Sequence, residues 1–234
     1  DDDGRGSVDS PTPDDLLFED LARRYSIQNT PMYENPQFAD GITNGAAWYT
    51  ITGGMQDWNY RYAGCMEVTI ELSNTKWPAG SSLPAYWADN ESAMLAYLEA
   101  VHLGVRGLVT DRSSGAPLWA KVLVTGNAHP VFTDPEIGDY HRLLLPGLYS
   151  LTFTAPGYIP YRTNALIVGD GEASRVDVAL SDGDVDWDGW IGAPDIQTVA
   201  NAALELPVAF DADVDGCGVS ETDLEQVINR ALGR

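Results

Sequence analysis

The aspartates near the end of the chain have the types and spacing of a calcium-binding loop. Loop positions one, three, five, seven and twelve are held by Asp184, Asp186, Asp188, Trp190 and Asp195. Alternate carboxylates converge on one hard cation, position seven offers its carbonyl oxygen, and the acid at position twelve closes the coordination shell. Gly189 stands at position six, where such a loop turns sharply. The spacing therefore predicts a calcium site of the EF-hand type.

A weaker copy of this loop follows. The stretch DVDGCGVSETDLEQVINRAL is similar to DVDWDGWIGAPDIQTVANAAL, and the duplication indicates a repeat. With Asp213 and Asp215 at positions one and three, Cys217 falls at position five and Asp223 comes one residue early. A register that begins two residues earlier restores three aspartates but ends on a threonine. In either register we expect weaker calcium binding, with Asp213, Asp215 and Asp223 as candidate ligands.

Two glutamates in the middle of the chain could be read as a catalytic carboxylate pair. Glu67 and Glu71 alternate with Met66, Val68 and Ile70 in CMEVTIEL, which predicts a strand. Four strand residues separate the two glutamates by about 13 Å. Glycosidase chemistry needs a separation of roughly 5 to 9.5 Å. The spacing excludes that pair within one strand.

The three histidines carry no metal-binding pattern. His102, His129 and His141 do not stand in an HxxE or HExxH frame. Structural or surface roles are the expected ones for such histidines. We therefore predict no zinc ligand within this chain.

Helices are expected on either side of the glutamate strand. In TPDDLLFEDLARRYS, Thr12 can cap, Pro13 suits the first helical position, and the apolar residues recur at helical spacing. In NESAMLAYLEAVHLGV, an apolar face is predicted. That face consists of Met94, Leu95, Tyr97, Leu98 and Val101.

After Gly104 the pattern changes to about seven short strands separated by turn-forming stretches, which predicts a β-sandwich. The chain is therefore predicted to be multidomain, with boundaries at 1–104, 105–181 and 183–234. In the third region each acidic loop is followed by one short helix, which indicates a small α-helical module. Cys65 and Cys217 fall in separate predicted domains, so we expect no disulfide between them.

Composition limits the partners. The formal charge is −22, with the acid concentrated at the two ends, and this disfavours nucleic acid and anionic membrane surfaces. Cationic partners and divalent metal are favoured instead. No apolar run reaches the roughly 18 residues of a membrane span, so we expect none.

A longer constellation resembles a known enzyme family. The run GITNGAAWYTITGGMQDWNYRYAGCMEVTIEL is similar to the zinc metallocarboxypeptidases of the carboxypeptidase N/E/D type. The resemblance begins at the initial DDD, includes both predicted helices, and continues into a region similar to the transthyretin-like domain that follows these peptidases. It implies an α/β mixed-sheet catalytic domain, represented here by its C-terminal part, and then an all-β domain.

The resemblance also implies residue roles. Glu71 matches the family's general base and acid, which activates a zinc-bound water. Tyr49 matches the tyrosine that hydrogen-bonds the substrate's terminal carboxylate, and Gln56 matches a residue of the specificity pocket. The N/E/D type accepts C-terminal Lys or Arg. The family's zinc ligands, in an HxxE pair and a later histidine, precede the matched region, so zinc is expected as a cofactor without a ligand in this chain.

The last region, from Gly183 to Arg234, resembles the dockerin module, including Asp at loop position twelve. Dockerins bind cohesin modules of secreted assemblies, so the resemblance implies a cohesin-like scaffold partner. The principal hypothesis is that this chain is a fragment of a secreted zinc carboxypeptidase, which removes C-terminal, basic residues from peptides and proteins. The fragment alone is expected to be inactive. The alternative is a non-catalytic attachment protein that binds a scaffold through its tail.

Overall fold

The structure is a computed structural model that describes residues 7–233. The initial DDD, where the resemblance begins, and Arg234 lie outside the described residues. The chain divides into two compact units, with the division between Leu103 and Gly104.

The first unit is helical in its described residues. Its α-helices are α1 (Asp15–Ile27), α2 (Thr30–Tyr33), α3 (Gly45–Trp48), α4 (Met55–Trp58) and α5 (Leu83–Glu99). Single 3-10 turns lie at Ala39–Gly41, Gly80–Ser82 and Ala100–His102, and a π-helical turn lies at Asn59–Ala63.

Helix α1 begins later than its capping pattern predicted. Thr12 does accept a hydrogen bond, from the backbone N–H of Asp14 at 3.2 Å. However, Asp14 has non-helical φ and ψ of −110° and 28°, so the helix begins at Asp15 and Pro13 lies before it. The predicted apolar face is buried at Leu17 and Leu21.

Helices α1 and α5 are joined by a buried polar network. The Asn90 side-chain oxygen accepts from Tyr25 Oη at 2.6 Å and from Asn29 Nδ2 at 2.9 Å. Its amide nitrogen donates to the carbonyl oxygen of Tyr86 at 2.7 Å. Because Asn90 is 3% exposed, these bonds compensate the cost of burying its amide.

The apolar face predicted for α5 is largely exposed. Met94, Leu95 and Leu98 are 42%, 57% and 66% exposed, and the helix instead buries Asn90 and Ala93. Val101 lies beyond its end and is also exposed. The prediction of a helix is confirmed, but the predicted face packs only in part, because Tyr97 lies against Tyr25 of α1 whereas the other residues of that face are exposed.

The segment predicted as the glutamate strand is not a strand in the structure. No residue of 65–72 pairs with another strand among residues 7–233. Strand geometry requires a neighbour that accepts and donates backbone hydrogen bonds. In that described part of the chain, the backbone groups of residues 68–72 have no hydrogen bond.

The second unit begins with the sheet-rich region. Its strands are β1 (Val105–Asp111), β2 (Lys121–Val124), β3 (Val131–Phe132), β4 (Asp139–Arg142), β5 (Gly147–Tyr149), β6 (Leu151–Thr154), β7 (Tyr161–Arg162), β8 (Leu166–Val168), β9 (Ser174–Arg175) and β10 (Val178–Leu180). They form sheets in the orders β10-β1-β4, with β9 also on β1, then β3-β2-β6-β7, and β5-β8. The prediction of a region of short strands is thus confirmed.

The core of the sheets is formed by alternate residues of the strands, whose side chains point to the same face. In β1, Val105 and Val109 are buried, and in β2 Val122 and Val124 are buried. They pack in one cluster with Leu151, Phe153, Val178 and Leu180 of the other strands. Strand β1 pairs antiparallel with β4 and parallel with β10, which ties the beginning of this region to its end.

Two helices follow, α6 (Ala193–Ala203) and α7 (Glu221–Ala231), each after an acidic loop. Equivalent valines of the two repeats, Val199 and Val227, are fully buried between them. The same cluster contains Ile159, which belongs to the sheet region and is 2% exposed. The two helices therefore also pack against Ile159, in the connection between β6 and β7, while the core of the sheets is a separate cluster.

Cys65 and Cys217 are both free and exposed. Among residues 7–233, no helix is long and apolar enough to cross a membrane.

Candidate functional site

The candidate catalytic segment is extended and open. Glu71 is exposed, and no hydrogen bond of its side chain occurs among residues 7–233. Glu67 is held differently, because its carboxylate accepts a short hydrogen bond from Asn59 Nδ2. The Glu67 side chain is therefore held by Asn59, whereas the Glu71 side chain is open to solvent.

One predicted substrate residue lies beside this segment. Gln56, in α4, accepts a hydrogen bond from Thr69 Oγ1 at 3.2 Å, which places it next to the strand-like segment two residues before Glu71. Tyr49 follows α3 and is 50% exposed, with its ring 4.8 Å from that of Trp48. No hydrogen bond within the described chain links Tyr49 with Gln56 or Glu71.

A groove of about 300 Å³ runs along residues 65–70, the part of the segment that precedes Glu71. Its lining residues are Tyr25, Cys65, Met66, Glu67, Val68, Ile70 and Tyr97. The Tyr97 hydroxyl donates to the carbonyl oxygen of Met66. Burial, with the nearby Cys65 and Glu67, raises the pKa of Tyr97 to about 12. Tyr97 therefore remains a neutral donor that fixes the start of the segment.

The histidines do not form a metal site. His129 is buried in the sheet region, whereas His102 and His141 are exposed. Among residues 7–233, no histidine belongs to a group of three potential metal ligands. The described residues thus do not fit a zinc ion of the kind held by two histidines and a glutamate.

The first acidic loop gathers three of its predicted ligands. One carboxylate oxygen each of Asp184, Asp186 and Asp188 lies within 4.8 Å of the others. Asp184 also accepts from the backbone N–H groups of Asp188 and Gly189, at 3.2 and 2.8 Å. The Trp190 side chain is 78% exposed, and the backbone N–H of this residue donates to the Asp188 carboxylate at 2.8 Å. The turn predicted at Gly189 is present, with φ of +90°.

Asp195 is placed differently from the other aspartates of this loop. Its carboxylate accepts from the N–H groups of Val185 and Gly192, at 2.7 and 2.8 Å. It is 1% exposed and does not join the group of three. Asp195 therefore ties the start of the loop to the start of α6, a role that the ligand spacing did not indicate.

The second loop adopts the register that begins at Asp213. Asp213, Asp215 and Asp223 form the other three-carboxylate group, within the same 4.8 Å limit. The buried Asp223 accepts from the N–H groups of Val214 and Ser220, at 2.9 Å each, as Asp195 does in the first loop. The loop is one residue shorter between its second glycine, Gly218, and the helix.

Desolvation and neighbouring carboxylates both raise pKa values in the two loops. Desolvation, followed by the carboxylates of Asp195, Asp188 and Asp184, raises the pKa of Asp186. Desolvation and the carboxylates of Asp215 and Asp213 raise the pKa of the Cys217 thiol. Desolvation is the larger cause of both shifts, and the neighbouring carboxylates add to it; a divalent cation would offset that second contribution.

Two family models match the chain. Residues 4–93 match the zinc carboxypeptidase family, and residues 104–181 match the carboxypeptidase regulatory-like domain. The chain is therefore similar to a zinc carboxypeptidase domain in its first part and to a carboxypeptidase regulatory-like domain in the part that follows.

Curated relatives agree with both matches. The chain is 46% identical over 175 residues to the carboxypeptidase N catalytic chain of Mus musculus, and this alignment covers 73% of this chain and 38% of that protein. It is 42% identical over 181 residues to carboxypeptidase D of Rattus norvegicus, which covers 73% of this chain and 13% of that protein. The human carboxypeptidase N catalytic chain is 43% identical over 180 residues, and 39% of it is covered. The chain thus spans well under half of each of these relatives.

Among solved structures, two mutant type II cohesin–X–dockerin complexes from Acetivibrio cellulolyticus match 54% of this chain. The TM-scores are 0.30 and 0.29, the identities are 19% and 17%, and 93% of each of those chains is covered. TM-scores this low define no shared fold.

Proposed function

We propose that residues 1–104 are the C-terminal part of a zinc metallocarboxypeptidase domain in which Glu71 is the general base and acid. The observation that carries this proposal is the presence of Tyr49, Gln56 and Glu71 at the family's spacing inside the segment that matches the zinc carboxypeptidase family. The open position of Glu71, beside an anchored Glu67, supports it.

Glu71 then takes a proton from the attacking water and delivers it to the leaving amine. Such proton transfers by a positioned side chain contribute about 10² to 10⁴-fold in rate. Zinc, when bound, lowers the pKa of water to about 7 and polarises a carbonyl. Its ligands lie outside this chain, and the chain alone is inactive.

The substrate is the C-terminus of a peptide or protein, with Lys or Arg as the released residue. Tyr49 hydrogen-bonds the terminal carboxylate, and Gln56 lines the side-chain pocket. The formal charge of −22 favours a cationic substrate. The parent protein acts outside the cell.

A chimera tests this function. In the mouse carboxypeptidase N catalytic chain, the matching 175 residues are replaced by those of this chain. We expect zinc-dependent release of C-terminal Lys from a short peptide, and slower release of C-terminal Leu from the otherwise identical peptide. A folded, zinc-loaded chimera that releases neither residue would contradict the proposal.

A second function belongs to residues 183–234, which we propose to be a dockerin-like calcium module that binds a cohesin-like scaffold. The duplicated acidic loops support it, and so does an exposed aromatic surface beside the first loop. That surface consists of Trp187, Trp190 and Phe210, which are 55%, 78% and 38% exposed. Trp187 has φ of +62°, an uncommon conformation for a residue with a side chain, and it holds its ring 6.2 Å from that of Phe210.

Binding of the whole chain to a panel of purified cohesin modules, with calcium or with a chelator, tests this second function. We expect calcium-dependent binding to at least one module, and weaker binding after Trp190→Ala. Calorimetry that detects no calcium binding would contradict the calcium site. Calcium binding without any cohesin binding would contradict only the partner.

A further inference from the structure

The second acidic loop is hydrogen-bonded to the sheet region, whereas no hydrogen bond of the first loop among the described residues reaches a strand of that region. Arg112, just after β1, donates from both terminal guanidinium nitrogens to the carbonyl oxygen of Asp213, at 3.1 Å each. Its guanidinium also lies 3.7 Å from the Asp211 carboxylate, and its side chain is only 18% exposed. This single side chain thus holds the residue at loop position one.

Strand β7 holds the next part of the same loop. The backbone N–H of Arg162 donates to the carbonyl oxygen of Asp215 at 2.9 Å. The Tyr161 ring packs against Gly216, where an added Cβ would come within 2.1 Å of the ring. Gly216 has φ of +81°, so both its conformation and its contact require glycine.

These contacts engage the backbone and leave the acidic side chains free to converge. The Arg112 guanidinium donates to the carbonyl oxygen of Asp213, and the Arg162 backbone N–H donates to that of Asp215. The carboxylates of the same two residues meet that of Asp223 within 4.8 Å. By contrast, the hydrogen bonds of the first loop, residues 184–192, stay within that repeat, except that the Asp184 N–H donates to the Asp182 carboxylate just before it.

The difference matters because the second loop is the poorer one by sequence. It has Cys217 where the first has Asp188, and it is one residue shorter. A loop with fewer acidic ligands gains most from being held in its binding conformation before the ion arrives, because less ordering free energy is then lost on binding.

We propose that Arg112, Tyr161 and Arg162 of the sheet region are positioning residues of the second cation site and raise its affinity for calcium. The inference rests on the calcium function proposed above and specifies how one of the two sites is built. Because coupling between two events is reciprocal, calcium bound at the second loop also strengthens its docking on the sheets.

The test compares Arg112→Met with Arg175→Met in the whole chain. Arg175 is an exposed arginine of the same region that contacts Asp177 and not the loop. Both variants carry Asp184→Ala, so that calorimetric titration with calcium reports the second loop. Circular dichroism verifies that both remain folded. We expect Arg112→Met to weaken calcium binding about tenfold relative to Arg175→Met, within the usual range of coupling.

Hydrogen exchange of the amides of residues 213–218, measured without calcium, is the second readout. We expect several-fold faster exchange in Arg112→Met only. Equal calcium affinity in the two variants would overturn the inference. So would a second loop that binds no calcium while the first loop of the unsubstituted chain does.

If neither loop binds calcium, the calcium function itself fails, and the exchange rates then decide whether Arg112 positions the loop. Equal rates in the two variants would overturn that remaining part as well.

Discussion

Among single residues, the aspartates of the two loops have distinct tasks that their spacing alone does not separate. Asp195 and Asp223 are buried and bond backbone N–H groups at both ends of their loops. Asp186 and Asp188 are less buried and lie with Asp184 in one carboxylate group. A pattern of acids predicts a metal loop, but only the fold shows which acid closes it.

Asp184 combines both tasks, which makes it the informative position in the first loop. We expect Asp184→Ala to reduce calcium affinity at this loop by at least about tenfold, because ligand charge sets affinity in such loops. Loss of its bonds to Asp188 and Gly189 should also lower the free energy of unfolding without calcium by about 1–3 kcal/mol.

Calorimetric titration and thermal unfolding measure these two effects. Glu225→Ala is the matched control, since it removes an exposed carboxylate of α7 from the same module. An unchanged calcium titration after Asp184→Ala would refute the assignment of the first loop.

Among the elements, those whose own sequence carries an apolar alternation could be predicted, and those without one could not. The strands β1 and β2 follow from local alternation of apolar residues and from the turns that bound them. The two-residue strands β3 and β7 have no such signal, because they exist only by pairing with β2 and β6. Segment 65–72 shows the reverse, an alternating pattern with no paired strand among residues 7–233.

The site followed the same rule. Resemblance gave Tyr49, Gln56 and Glu71 their expected roles, and the bond between Gln56 and Thr69 appeared only in the fold. Likewise, nothing in the local pattern around Ile159 or Arg112 indicates that they contact the C-terminal repeats, because that contact joins residues distant in the sequence.

The end of β1 carries a pH-dependent contribution to stability. Burial of Asp111 opposes its ionisation, but hydrogen bonds from Ser113, Ser114 and Tyr158 outweigh it and lower the pKa from 3.8 to about 2. A depressed carboxyl pKa stabilises the fold at pH values above the unfolded pKa, and this contribution is lost as pH falls toward 2.

We therefore expect Asp111→Asn to destabilise the second unit by about 2 kcal/mol at pH 7, and by progressively less between pH 4 and pH 2. Urea unfolding followed across this pH range measures the difference. The control is Glu172→Gln, at an exposed position between β8 and β9 of the same region. A destabilisation that stays constant down to pH 2 would contradict the proposed origin.

At the scale of the whole molecule, two compact units carry different proposed tasks. The first holds Glu71 and its neighbours, and the second combines the regulatory-like domain with the two acidic repeats. This chain spans only 38% of the mouse carboxypeptidase N catalytic chain and 13% of rat carboxypeptidase D. The proposed catalytic role of Glu71 is therefore best tested in a complete carboxypeptidase.

The decisive measurement is kcat/KM for release of C-terminal Lys by the mouse carboxypeptidase N chimera carrying either Glu71→Gln or Glu67→Gln. Both substitutions remove one negative charge from the same segment, but Glu67 is anchored to Asn59 and Glu71 is free to act on water. We predict that Glu71→Gln lowers kcat/KM by about 10² to 10⁴-fold, and that Glu67→Gln changes it by less than about tenfold. Retention of full activity by the Glu71→Gln chimera would contradict the account.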